Sequence, residues 1–400
     1  MSLYSLSKYI IAIFLTLSVM NSISWIGSLH NIVVYSKIVI VFSVVVLYFF
    51  TTQYLQKMSN IKYLLIFFML IIGYSFLFYY DNNKTFFDTM FRSIMFALYL
   101  IFIYYLVQSI YSFHKFEDHN NCLDETITDI VNIFQKTLLP NIIVWTLVAL
   151  VIGRNLYDID ITGMRSGFAG FTGDRQTFGL LMATLYLSTL LLYIRKKQKI
   201  HILILVISFL VIIYTDSRTS EIAVLIPTLY IYVKKKIKNL ELYILPIILS
   251  SIYYMLNDIT FDINEYSSGR ILVWSLFLNE AENNNIFYGY GLFNFNNIIL
   301  QKYIHMSYYF RRIDFLYFHS SYIEIFAAGG LLAVLFYLLF VVKTYFIANI
   351  PIKGIIIGVA VASAFESFIV SPIFPISLLF WMLLILTNIH QISKEENAKT

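Results

Sequence analysis

Cysteine is close to absent from this chain: Cys122 is the single one in 400 residues. That excludes an intramolecular disulfide and leaves dithiol redox chemistry nothing to work with. Charge is scarce too, at 13% of residues. The formal net charge is only +5, and basic residues do not gather into a patch interleaved with aromatics, so nucleic acid is not an expected partner. Zinc-ligand spacing, a serine triad and a phosphate-binding loop are all missing, and neither a metal nor a cofactor is expected. No internal repeat is visible, which disfavours the inverted-repeat plan of many transporters. The opening residues lack a small-residue cleavage site, because the apolar run from Tyr9 continues to Ile26. That run is therefore expected to be a first membrane span instead of a cleaved signal.

What the chain has in quantity is apolar surface: 59% hydrophobic residues, 18% aromatic, and a mean hydropathy of +0.75. Apolar runs recur at 8–26, 32–50, 61–80, 90–110, 138–153, 176–194, 200–214, 219–233, 240–257, 322–342, 354–371 and 374–390. Crossing a hydrocarbon core takes roughly 20 apolar residues per helix. The pattern predicts an all-α polytopic membrane protein of about twelve transmembrane helices, with residues 1–400 forming a single integral membrane domain.

Two basic clusters, Arg195-Lys196-Lys197-Gln198-Lys199 and Lys234-Lys235-Lys236-Ile237-Lys238, sit in short connectors two spans apart. Positive residues in short loops stay in the cytoplasm, so both termini and Cys122 are expected inside. Residues 258–320 then form one large extracytoplasmic loop containing short interfacial helices, and 154–175 a smaller one. The 111–137 connector falls inside, and its alternating polar and apolar residues predict an amphipathic helix on the membrane surface.

Sorted by this topology, inner positions hold sixteen Lys and one Arg, whereas the outer half holds three Lys and eight Arg. Lys satisfies the positive-inside bias, and Arg collects where that bias expects few cations. A planar guanidinium binds phosphate bidentately and tolerates partial burial better than an ammonium. The outer set of Arg92, Arg154, Arg165, Arg175, Arg218, Arg270, Arg311 and Arg312 therefore points to an anionic ligand, against the alternative that these side chains snorkel to lipid phosphates.

Individual motifs refine this. His319 lies just before the span that opens at Tyr322, placed as a candidate proton acceptor; an interfacial histidine is the competing reading. Ser321 and Glu324 have the spacing of a capping box. Arg218 follows Asp216-Ser217 in a tight outer turn beside helix N-terminal amides, an arrangement suited to phosphate or to an exposed pair with Glu221. Ser267 to Trp274 reads as a capped interfacial helix with Arg270 in its first turn, where a positive charge is disfavoured unless it meets a ligand. The turn Gly289-Tyr290-Gly291 lets backbone pass close to something. Gly163, Gly167, Gly170 and Gly173 loosen the loop around Arg165 and Arg175, and Asp158 with Asp160 could hold a cation. Glu366 is read as an ionisable residue within the eleventh span, a functional candidate for that reason.

In this order and on this face, the Ser217-Arg218 turn, Arg270 with Trp274, Gly289-Tyr290-Gly291, and His319 followed by the span carrying Gly329-Gly330 resemble the O-antigen ligase and polymerase superfamily of bacterial envelope glycosyltransferases. The resemblance covers roughly 165–340 and implies a multi-pass protein of the bacterial cytoplasmic membrane. It implies glycosyl transfer from an oligosaccharide linked to undecaprenyl diphosphate, without a nucleotide or other cofactor. In that frame Arg218 and Arg270 neutralise the diphosphate and His319 takes the acceptor proton. Arg165, Arg175, Arg311, Trp274, Tyr290 and Glu324 contact substrate. A repeat-unit polymerase for O antigen or capsule is the favoured member, ahead of a ligase moving finished chains and a flippase of lipid-linked oligosaccharide. Membrane lipids and a chain-length regulator are the other expected partners.

Overall fold

The computed structural model of the chain describes residues 2–23, 25–27, 29–51, 62–77, 83–117, 121–159, 166–234, 236–237, 274–275, 277–279, 287, 289–291, 319–370 and 374–397. Among these, eleven α-helices follow in order. They are α1 (Leu3–Asn21), α2 (Leu29–Thr51), α3 (Lys62–Leu77), α4 (Asn83–Glu117), α5 (Cys122–Val151) and α6 (Arg175–Lys196). Then come α7 (Lys199–Thr215), α8 (Arg218–Lys234), α9 (Ser321–Ile347), α10 (Ile350–Ala362) and α11 (Pro375–Asn397). Seven helices are long and apolar enough to cross a membrane, and α7 and α10 are shorter apolar helices. The chain is thus an all-α polytopic membrane protein in outline; the expected span at 240–257 and most of 258–320 lie outside the described residues.

Among the described residues, side-chain contacts tie the helices together at two ends. At one end Lys8 and Tyr4 of α1 meet Asp129 of α5, and Arg195 of α6 meets Asp124 of α5. This is the lysine end. At the other, Trp25 donates to the Phe171 carbonyl and packs edge-on to Trp145, and the Arg154 guanidinium stacks over the Trp25 ring. This is the hairpin end, named for a feature that the sequence reading lacks. In the 154–175 loop, β1 (Tyr157–Ile159) pairs antiparallel with β2 (Ser166–Phe168), Asp158 opposite Gly167, followed by a 3-10 turn at Gly170–Thr172.

Two further expectations need correction. The 111–137 segment is not a separate surface helix: α4 runs on to Glu117, and 122–137 is the first half of α5. Its apolar stripe of Ile127, Ile130, Val131, Phe134 and Leu138 is completely buried, so it faces the bundle and not a lipid surface. At 30 residues α5 is about 45 Å long, more than the hydrocarbon thickness, and its first turns extend past the membrane. Glu366 is not inside a span either. Helix α10 stops at Ala362, and Glu366 lies in the turn that leads towards α11.

Helices α6 and α11 are the most enclosed. Trp381 of α11 is fully buried among the rings of Phe96, Tyr337, Phe340 and Phe380. Its indole donates to the Ile369 carbonyl at 3.0 Å, as Ser377 Oγ does at 3.1 Å, so the core holds the 363–370 turn in place. Helices α8 and α10 pack antiparallel through Gly354 and Gly358, the small-residue spacing that lets membrane helices approach closely. A Cβ on Gly358 would overlap the Pro227 ring. Gly358→Ala is expected to lower the thermal stability of detergent-solubilised protein by about 1–3 kcal/mol of overpacking. Gly73→Ala, where a Cβ meets nothing within 4 Å, should leave the melting curve of the purified protein unchanged.

Candidate functional site

The hairpin end assembles polar groups from four stretches of chain. The first is the α7–α8 turn. Asp216 ends α7 in the left-handed conformation, with φ 49° and ψ 34°, and the chain reverses into α8 at Arg218. The β-hairpin rests on this turn: Gly167 comes so close that a Cβ would overlap the Thr215 carbonyl, and the Tyr157 and Tyr214 hydroxyls lie 2.8 Å apart. Phe168 packs edge-on against Tyr157 and Phe178. Asp174 caps α6 by accepting from the Gln176 and Thr177 amides. Arg175, which follows it, is buried, and its Nη1 donates to Asp216 Oδ2 at 2.9 Å. Part of the Arg175 fork is thus engaged within the protein. Arg218 occupies the first position of α8, half-buried, where the helix dipole disfavours a cation.

The second and third stretches are the start of α9 and the 363–370 turn. His319 has φ 49°, a region uncommon for a residue with a side chain. The strain is held by bonds around it: Ser320 N donates to Ser367 Oγ at 2.9 Å, and Ser321 N to the Ser363 carbonyl at 2.8 Å. The cap of α9 is Ser320, whose Oγ accepts from Ile323 N, and not Ser321 as the capping-box spacing implied. Ser321 Oγ is used elsewhere, donating to the Glu366 carbonyl at 2.9 Å and accepting from Ile369 N at 3.2 Å. These contacts bring His319 Nδ1 to 3.2 Å from Glu366 Oε1. The Glu366 side chain is 11% exposed and the His319 ring 39% exposed, so a buried carboxylate backs an accessible imidazole. With Nδ1–H donated to Glu366, the Nε2 atom carries the lone pair, the tautomer a general base needs.

The fourth stretch is the Gly289-Tyr290-Gly291 turn. Helix α9 is broken at Gly330, with φ 69° and ψ −174°. The break takes the Ala327 and Ala328 carbonyls out of the helical ladder, and they accept instead from Tyr290 N at 2.7 Å and Gly291 N at 2.9 Å. Gly289 must be glycine here, since a Cβ would overlap the Ala328 carbonyl. Phe277 is buried edge-on against Phe326 one turn above. Non-helical backbone at membrane depth is tolerated where protein covers it, and this turn is the cover.

Glu324 lies on the buried side of the first α9 turns. Both of its carboxylate oxygens are enclosed without a hydrogen-bond partner, with Ser367 and Glu366 as polar neighbours. Packing of α8 on α10 puts the Arg218 end of α8 and the Ser363–Glu366 turn at the same end of adjacent helices. Of the residues singled out in the sequence, His319, Glu324, Tyr290, Arg175 and Arg218 thus converge on the hairpin end. Trp274 is partly buried in a short helical stretch. Arg165, Arg270, Arg311, Arg312 and Asp160 lie outside the described residues, while Asp158 Oδ2 faces the Arg175 amide at 3.5 Å. The residue that sequence reasoning misplaced is Glu366. Its pairing spans 47 positions, and the only local signal was a cluster of serines, Ser363 and Ser367, around a charge in an apolar run.

Residues 162–338 match the sequence model of the O-antigen ligase family. No curated protein and no solved structure matches the chain. The match supports the resemblance to the O-antigen polymerase and ligase superfamily over the segment that carries the α7–α8 turn, the glycine turn and His319. With the apolar helices, it indicates a multi-pass bacterial inner-membrane protein of membrane-glycosyltransferase type that handles lipid-linked oligosaccharide.

Because Gly289 has no room for a side chain, Gly289→Ala should force the turn off α9. In a Cys122→Ser background, Tyr290→Cys is expected to react slowly with a membrane-impermeant maleimide. Adding Gly289→Ala should raise the labelling rate roughly tenfold, the equivalent of a packing penalty of about 1–3 kcal/mol.

Proposed function

We propose that the protein is a repeat-unit polymerase, which transfers oligosaccharide from undecaprenyl diphosphate to a sugar hydroxyl of another lipid-linked unit. In this reading the lysine end and both termini face the cytoplasm, and the hairpin end faces outward. The acceptor oxygen attacks the anomeric carbon of the donor sugar, and the bond from that carbon to the diphosphate oxygen breaks. The acceptor proton goes to His319 Nε2, and the electron pair leaves with undecaprenyl diphosphate. Glu366 holds the imidazole in the accepting tautomer and stabilises the imidazolium that forms. Arg218, assisted by Arg270 and Arg165, neutralises the leaving diphosphate, since preorganised positive charge is the strongest help such a group can receive. Arg175 steadies the turn bearing Arg218 through Asp216. Trp274 gives an aromatic face for sugar stacking and Arg311 adds charge in the loop; Tyr290 and Glu324, expected from sequence to contact substrate, are enclosed and hold the site in place instead of touching the sugar.

The observation that supports the reading is the His319–Glu366 pair, which lies at the same end of the helices as Arg218. A second reading, transfer of finished chains to a separate acceptor, draws support from the name of the matching family, O-antigen ligase. Both use the same site chemistry and differ in acceptor. A transporter reading is disfavoured by the position of the pair at the end of the bundle, since a flippase needs its cations in a cavity between spans.

Deleting the gene in the native host and sizing the glycan left on undecaprenyl diphosphate separates these outcomes. Single repeat units on the outer leaflet establish polymerase, long lipid-linked chains ligase, and single units trapped on the inner leaflet would refute both. In the polymerase outcome, His319→Ala should reduce polymer formation by about 10²–10⁴-fold and Arg218→Ala by about 10²–10³-fold. Glu366→Gln should reproduce the defect in weaker form at unchanged protein level.

A further inference from the structure

The lysine end carries a second polar constellation that the transfer chemistry does not use. His114, in the last turn of α4, is buried, its side chain only 9% exposed. Its Nε2 lies 3.0 Å from Asp129 Oδ2 on α5. The same carboxylate accepts from Tyr4 at 2.5 Å and from Lys8 at 3.0 Å, both on α1. Three groups, Tyr4, Lys8 and His114 Nε2, thus meet at one carboxylate oxygen, which makes Nε2 a donor and leaves Nδ1 as the nitrogen that faces away from Asp129.

Nδ1 faces negative charge. Nδ1 makes no hydrogen bond, although Glu125 Oε2 is 3.0 Å away and Glu117 Oε2 is 3.9 Å away. A positive charge has to lie among these groups, either a proton on Nδ1 or a metal ion, and the absence of hydrogen-bond geometry between Nδ1 and either carboxylate favours the ion. The neighbouring cations are engaged elsewhere: Lys8 is on Asp129, and Arg195 is on Asp124 at 3.0 Å. The three ligand atoms lie within 4.8 Å of one another. Ligands of a tetrahedral ion bound at 2.0–2.2 Å are about 3.4 Å apart, a spacing that the two measured separations bracket. A ligating histidine that donates its other ring N–H to a carboxylate is the usual supporting arrangement of a bound metal, and Asp129 supplies it. The site opens into a cavity of about 700 Å³, lined also by Asn121, Thr128 and Asn349, so an ion and its remaining water ligand have access.

We propose that His114, Glu117 and Glu125 form a divalent-cation site of zinc type at the lysine end, with Asp129 as the positioning carboxylate. One imidazole and two carboxylates suit a borderline first-row ion better than Mg²⁺, which prefers oxygen and water. The ion joins the end of α4 to the start of α5, and Asp129 extends the link to α1. The proposal is independent of the glycosyltransferase reading.

The test is metal binding to tag-free, detergent-purified full-length protein, titrated with Zn²⁺ against a chromophoric chelator. One Zn²⁺ per chain is expected. Glu125→Gln and Glu117→Gln should each weaken binding by about tenfold or more, and Asp129→Asn, which does not touch the ion, by about 10–100-fold. The double Glu117→Gln, Glu125→Gln variant should bind none. Both glutamates are about half exposed, so the double variant should melt at the temperature of metal-stripped wild type, and added Zn²⁺ should raise the melting temperature of wild type alone. Zinc-edge absorption spectra of the wild type supply a check that needs no variant, with nitrogen and oxygen ligands including one imidazole expected. Absence of saturable Zn²⁺ binding, binding unchanged in the double variant, a sulfur ligand, or displacement by equimolar Mg²⁺ would each overturn the assignment.

Discussion

Backbone buried in hydrocarbon must satisfy its own hydrogen bonds, and that constraint shapes the whole hairpin end. Regular helix meets it at no cost in side chains, but a site cannot be built from regular helix alone. This protein interrupts its helices and supplies a partner at each interruption. The break at Gly330 frees two carbonyls, and the Tyr290 and Gly291 amides occupy them. Where α10 stops short of Glu366, the turn that follows is tied to α9 through Ser320, Ser321, Ser363 and Ser367 and to α11 through Trp381. The serines and the indole are therefore not incidental polar groups in an apolar protein. They are what allows His319 and Glu366 to meet.

The same logic explains the division between Lys and Arg. Lys gathers at the end where only topology is at stake. Arg sits where a planar fork has geometric work: Arg175 reaches Asp216 across the α7–α8 turn, Arg154 stacks on Trp25, and Arg218 occupies a helix start that disfavours it. Two of these guanidiniums stabilise the protein's own turns, so part of the Arg excess at the hairpin end is architecture.

Much of this architecture is legible from local sequence. The helices between Leu3 and Lys234 and from Ser321 onward fall close to the apolar runs, because a membrane span is a property of twenty consecutive residues. The interruptions are less visible. The break in α9 is hinted at by Gly329-Gly330, and Gly289 announces a close approach without naming its partner. The β-hairpin is three residues per strand, too short to show alternation, and is set by Gly167 settling on Thr215. The length of α5 was hidden because its first half is amphipathic for burial against α1 and α6, a pattern that a surface helix shares. Glu366 was hidden for a deeper reason: nothing within a local window tells residue 366 that residue 319 will be its neighbour.

In the proposed reaction His319, oriented by Glu366, removes a proton from an acceptor hydroxyl while undecaprenyl diphosphate departs. The most direct measurement is release of undecaprenyl diphosphate by purified protein in liposomes from a synthetic donor bearing one repeat unit. Release coupled one-to-one to glycosidic bonds formed is expected in wild type, and neither in His319→Gln at equal donor binding. Undiminished release and bond formation by His319→Gln would contradict it.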